Sequence, residues 1–226
     1  RDIRRSDGQT KGYRLAVSGI ATGSLFGVIC TPFSIAIMLS AFQVMRNPPR
    51  EYTDAAQIAA LIQKLPEHQP PANLTPIYGY EYPANGMRQV IYADQPHAPT
   101  AMVFVSQCAA AHTFMRDVLE RQMRRWEQGK NLTLTVQDSQ TLHWEIANRQ
   151  IEVTRQEGVR MTSGANGRRY VAVLLDGEQL LVVMVCTEDR ANGNRDAIGA
   201  SANSRSLSEE EVREFFASIR FREAVR

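Results

Sequence analysis

The sequence predicts an α+β protein, with a single transmembrane helix followed by one soluble domain in which helices flank an antiparallel sheet. Three observations predict it. No ionisable residue appears from Leu15 to Met45. Short runs rich in β-branched and aromatic residues recur further on, with turn signals between them. Three other segments repeat apolar residues at helical spacing.

Composition sets the bounds. With 226 residues and 43% hydrophobic content, the chain can bury one sizeable core beside an accessory segment, and it is not a disordered protein. A formal charge of +2 provides no global field for nucleic acid. Arg1, Arg4, Arg5, Lys11 and Arg14 nevertheless gather just before the apolar run. The chain opens on Arg1 with no small-residue cleavage pattern before it, which predicts a piece of a longer protein. Three cysteines without a C-x-x-C pair argue against a structural zinc or thioredoxin-like centre. Cys108 and Cys186 read as buried free thiols, a single disulfide being the alternative.

Residues 1–14 are therefore expected to be a cytoplasmic basic segment and residues 15–45 a transmembrane helix. About twenty apolar residues suffice to cross a bilayer, and this run is longer. Pro32 in "CTPF" is either a mild kink in one tilted helix or the tip of a hairpin of two half-spans. Half-spans of about fifteen residues are too short to cross, which favours the single helix. The basic side marks the cytoplasm, so everything after about Met45 is expected outside it and the span itself in the cytoplasmic (inner) membrane.

Gly19, Gly23 and Gly27 form a doubled G-x-x-x-G with Ser18 and Thr22 beside it. Lipid gives helices no hydrophobic reason to associate, so small residues that allow close backbone approach supply the contact. These glycines are the expected helix-packing face. The expected partners are the membrane and other transmembrane helices, from the same chain upstream, a second copy or a complex subunit; no nucleic-acid partner is expected.

"RDIRRSDGQTKGYRLAVSGIATGSLFG" resembles the closing part of a small bacterial membrane domain of unknown function, in which an "ALreIrrS" turn, a polar stretch and a "GrglAiaGlvlG" helix follow one another. The matching pieces are Arg1 to Ser6, Asp7 to Lys11 and Gly12 to Gly27, with Tyr13 and Arg14 where smaller residues are usual. The resemblance implies one or two preceding membrane helices as partners for the glycine face, and no catalytic residues.

Residues 46–74 read as a linker and an amphipathic helix, with Ala55, Ile58, Ile62 and Leu65 on one face and Thr53 or Asp54 as cap. Residues 75–226 read as the extracytoplasmic α+β domain. Its strands are "IYGYEY", "RQVIYAD" and "TAMVFVSQ", followed after a helix by "NLTLTVQ", "TLHWEIAN", "IEVTRQ", "VRMTSG", "RRYVAVLLD" and "QLLVVMVCTE". The intervening helix places Met115, Val118, Leu119, Met123 and Trp126 on one face. Asn166-Gly167 and Asp176-Gly177 signal tight hairpins, and residues 188–206 have little to bury and read as a flexible loop. The last helix carries a capping box, Ser208 with Glu211, ahead of a Val212, Phe215, Phe216 and Ile219 stripe. This element order is loosely similar to the sandwich shared by PsbP and Mog1, which implies a fold and no activity.

Chemistry is hard to find in the sequence. There is no G-x-S-x-G, and His68, His97, His112 and His143 read as solvated or packed side chains rather than bases. Asp189, Asn192, Asn194 and Asp196 lack the glycine and distal glutamate of a calcium loop, so no metal or other cofactor is expected. Tyr78, Tyr80 and Tyr82 share one side of a strand, a pattern that suits recognition or a half-buried sheet face. The expected role is non-enzymatic contact with protein or ligand by a membrane-anchored envelope domain. The alternatives are an accessory subunit of a membrane complex, or an envelope enzyme assembled from residues such as His143, Tyr80 and Asp189.

Overall fold

A computed structural model of the chain describes residues 35, 38, 42, 45–97, 99–109, 121, 123–130, 132–146, 149–176, 178–189 and 206–220. The chain divides into two compact units, Arg1–Pro48 and Pro49–Arg226.

In the first unit the described residues are helical at Ile35, Met38, Phe42, Met45 and Arg46. The four apolar side chains stand at spacings of three and four residues, on one helical face, and all are exposed. Among the described residues no helix is long and apolar enough to cross a membrane. Most of the expected 15–45 span, with Gly19, Gly23 and Gly27, lies outside the described residues.

The second unit is built on one antiparallel sheet. Its elements are β1 (Arg50–Tyr52), α1 (Ala55–Ile62), β2 (Thr75–Tyr82), β3 (Met87–Ala93), β4 (Ala101–Ala109), α2 (121 and 123–129), β5 (Leu134–Ile146), β6 (Arg149–Arg160), β7 (Asn166–Asp176), β8 (Gln179–Glu188) and α3 (Glu209–Ser218). The strand order is β1-β2-β3-β4-β8-β7-β6-β5, so two four-stranded meanders join edge to edge where β4 meets β8.

Both faces of the sheet are covered. On one, Ile58 and Leu61 of α1 and Val212, Phe215 and Phe216 of α3 pack on Val90, Val103, Tyr170 and Val183. On the other, Met123 and Trp126 of α2 pack on Tyr78, Ile91, Phe104 and Met184. Coverage on both sides explains why β8 reads "LLVVMVC" without alternation: a central strand that buries both faces gains from apolar residues at every position. The helix ends follow the sequence signals. Asp54 caps α1 by accepting from Ala56 N and Gln57 N, and Ser208 and Glu211 complete the capping box of α3.

Several sequence expectations change. The runs "NLTLTVQ" and "TLHWEIAN" join in the single strand β5, which starts at Leu134, and "IEVTRQ" runs on through "EG" to Arg160 as β6, because the polar "DS" and "EG" pairs lie within strands rather than at turns; of "VRMTSG" only Val159 and Arg160 are strand, and Met161–Gly164 make the turn to β7. Gly158 of that "EG" pair sits opposite a bulge between Val136 and Asp138, where a Cβ would come within 2.0 Å of the Thr135 carbonyl oxygen. Asn166-Gly167 does not turn; it opens β7, paired with Val159 and Gly158, and the reversal is made just before it, with Gly164 at φ +68°. "REY" is a strand, β1, within the expected linker, and Glu188 belongs to β8 rather than to the following loop. The Asp176-Gly177 signal agrees with the structure, since Asp176 pairs with Gln179 across the β7–β8 turn.

Candidate functional site

Strand β2 turns Tyr78, Tyr80 and Tyr82 toward the α2 face of the sheet, as the period-2 pattern expects. The three differ in what they can do. Tyr78 is buried, with its ring 4.5 Å from that of Trp126, and burial followed by the Glu51 carboxylate pushes its phenol well above the ordinary value. Tyr80 and Tyr82 are half-buried and keep accessible surface. Burial raises the Tyr80 phenol too, so the Tyr78 and Tyr80 hydroxyls stay protonated donors at neutral pH.

Across the sheet from Tyr80 runs one transverse row. Register pairs Glu51 with Tyr80, Tyr80 with Gln89, Gln89 with Ser106 and Ser106 with Val182. The rows on either side are apolar beyond β2: Met87, Cys108 and Leu180 on one, Ile91, Phe104 and Met184 on the other. Gln89 and Ser106 are both fully buried, and among the described residues neither the Gln89 carboxamide nor the Ser106 hydroxyl has a hydrogen-bond partner.

The polar side chains around this face are, by contrast, engaged. Glu127 of α2 accepts from Arg169 Nη1 at 2.8 Å and from the Cys186 thiol at 3.3 Å, while Arg169 Nε donates to Gln156 at 2.8 Å. Burial, with Glu127 alongside, pushes the Cys186 thiol far up, which leaves it a poor nucleophile. Cys108 and Cys186 are free and buried. Their register partners, Leu180 and Met102, place them six residues apart along the strands, about 20 Å, too far for a disulfide. Arg160, itself buried, donates to the carbonyls of Pro99 and Thr100 and meets Glu188 at 2.8 Å, locking the β3–β4 connection to β8.

On the opposite face Glu81 accepts from Lys64 Nζ at 3.0 Å, Tyr52 Oη at 3.1 Å and Arg88 Nε at 3.4 Å. Burial works to raise its pKa, but those three donors outweigh it and hold the carboxyl below its ordinary value. His68 is packed, as expected of it. Its Nδ1 lies 2.6 Å from the Pro66 carbonyl and its Nε2 2.7 Å from the Tyr92 hydroxyl. A carbonyl only accepts, so Nδ1 carries the proton and Tyr92 donates to Nε2. Burial lowers the His68 pKa, and with both nitrogens occupied it is not available as a base. The adjacent cleft, about 290 Å³, is lined by residues of the α1 end together with His68 and Arg220.

His143, Tyr80 and Asp189 are not brought together. His143 is exposed on edge strand β5, six strand spacings of about 4.8 Å from β2. Asp189 ion-pairs with Arg168. His112, Asn192, Asn194 and Asp196 lie outside the described residues, and among those described no three His, Cys, Asp or Glu side chains gather as a metal site would need. Comparison with family models, with curated proteins and with solved structures finds no match to this chain.

Sequence reasoning found the tyrosine row and missed the polar one. The signal was present: in "MRQVIYA" and "AMVFVSQCA" the stripes Met87-Gln89-Ile91-Ala93 and Met102-Phe104-Ser106-Cys108 each hold one polar residue. Only the pairing register sets the two opposite each other.

Proposed function

We propose that the chain is a membrane-anchored, extracytoplasmic domain of a bacterial envelope protein that works by contact rather than catalysis, through the β2 tyrosine face. The single observation that carries the contact face is the placement of Tyr80 and Tyr82, half-exposed beside a Tyr78 packed against Trp126. Aromatic side chains offer large amphipathic area at low entropy cost, which is why they dominate binding surfaces. The anchor is supported by the charge-free run from Leu15 to Met45, bounded by Arg14 and Arg46, and by the exposed apolar stripe at Ile35, Met38, Phe42 and Met45.

A photocrosslinking residue placed at Tyr80 or Tyr82 in the full chain, in cells, tests the contact face. Discrete adducts at these two positions, lost from Tyr82 when Tyr80→Ala is added, are expected. The same adduct pattern from exposed Leu175, further along the sheet, would contradict it.

A further inference from the structure

The two edges of the sheet are protected unequally. β1 is three residues long, begins on Arg50 and follows Pro48-Pro49, so it offers an incoming strand almost nothing to pair with. β5, at the other edge, runs for 13 residues without proline, glycine, lysine or arginine, and among the described residues only β6 pairs with it. Its one interruption is the bulge between Val136 and Asp138, which twists the start of the strand. From Asp138 to Ile146 the register with β6 is regular, and the outward N–H and C=O groups of that stretch form a template for another strand.

The side chains specify which strand. In the regular stretch Asp138, Leu142, Trp144 and Ile146 lie on the face that α1 and α3 cover, and His143 and Glu145 on the other. Two copies of β5 that pair antiparallel about a two-fold axis normal to the sheet keep each face on its own side, so opposed residues must share a face. His143 can then never oppose Asp138, and it opposes Glu145 in one register, the one with Trp144 on the axis. That register sets His143 against Glu145 of the second copy twice over, an imidazole N–H donating to a carboxylate each time. On the other face it sets Leu142 against Ile146 on either side of a Trp144 pair, apolar against apolar. His143 and Glu145 are exposed, and no described side chain engages either. We propose that β5 is a self-association edge, through which two copies of this chain join their sheets antiparallel in the register centred on Trp144. Only Leu142 to Ile146 of each strand is paired, less than the roughly 1,200 Å² that stable complexes bury, so the dimer is weak and forms best where copies are held close together. The edge lies on the far side of the sheet from β2 and does not depend on the tyrosine face.

The test uses the full chain in dodecyl maltoside, with Cys30→Ser in every variant. Separately tagged His143→Cys and Glu145→Cys chains are mixed and oxidised, and a disulfide-linked heterodimer is expected. Ser139→Cys mixed with Glu145→Cys should link far less, since the proposed register holds those positions four residues apart, about 13 Å. Sedimentation equilibrium reads the affinity. His143→Glu, which sets carboxylates against carboxylates, is expected to weaken self-association at least about tenfold, and His143→Glu/Glu145→Lys to restore it, which damage to the strand would not allow. A chain that stays monomeric up to about 0.5 mM overturns the proposal, and is what an edge reserved for an extended segment of another protein would give. Dimers insensitive to His143→Glu, a double variant without rescue, or preferential linkage through Ser139→Cys overturn it as well. Crosslinking at Tyr80 and Tyr82 reads the contact face separately, so either proposal can fail while the other stands.

Discussion

Glu127 on α2 and Arg169 on β7 meet at 2.8 Å with only 4% and 17% of their side chains exposed, and this ion pair pins the helix to its face of the sheet. Removing Glu127 leaves the mostly buried Arg169 charge with only the Gln156 carbonyl oxygen and a little solvent to offset it. Glu127→Ala is expected to lower the unfolding free energy by roughly 3–5 kcal/mol, and Glu127→Leu/Arg169→Met by much less, because the double change leaves no buried charge behind. Urea denaturation followed by tryptophan fluorescence gives both values. Equal losses in the single and double variants would show that the pair's charges are not what holds α2.

Gly158 is required by the close approach of β5. A Cβ there meets the Thr135 carbonyl oxygen at 2.0 Å, backbone that can yield only by opening the β5–β6 pairing. Gly158→Ala is expected to cost at least about 1–3 kcal/mol, the usual range for forced overpacking. At Gly164, whose side-chain space is open and whose difficulty is its positive φ, Gly164→Asn should be nearly neutral, since Asn tolerates the left-handed region. Thermal melts of the two variants make the comparison.

His68 gives the fold a pH dependence near neutrality. Its folded pKa lies below the ordinary 6.5, so between the two values the unfolded chain binds more protons than the folded one, and stability falls as pH drops through 6.5. The fall is complete once pH passes below the folded value. His68→Gln should flatten the urea midpoint between about pH 7 and 5.5. Glu81 acts in a separate window: its lowered pKa contributes stability above the ordinary carboxyl value of 4.5, lost as pH falls through the folded value. Glu81→Gln should change the acid limb alone.

Much of this was legible in the sequence and the rest was hidden for physical reasons. The capping box at Ser208 and Glu211, the Asp54 cap and the β2, β3, β4, β7 and β8 runs depend on near neighbours, and local spacing carries that information. The pattern splits β5 and β6 because polar "DSQ" and "EG" interrupt the apolar runs, whereas the bulge between Val136 and Asp138 and the close approach at Gly158 absorb them inside long strands. β1 is too short for any periodicity. The Glu127–Arg169 pair spans 42 positions, the His68–Tyr92 bond spans 24, and the Gln89–Ser106 juxtaposition follows from register, none of which spacing reveals.

Burial separates the thiols from solvent. In a chain carrying Cys30→Ser, Cys108 and Cys186 are expected to leave a thiol reagent such as dithionitrobenzoate unreacted in the native state and to titrate as two thiols in denaturant. Rapid native reaction at either would contradict the packing of the α2 face.

The central claim is an anchored domain facing away from the cytoplasm, and reporter fusions test it most directly. Alkaline phosphatase, active only outside the cytoplasm, and a fluorescent protein that matures inside it are each joined after Phe216 of the full chain. The account predicts an active phosphatase and a dark fluorescent fusion; bright fluorescence with an inactive phosphatase would contradict it.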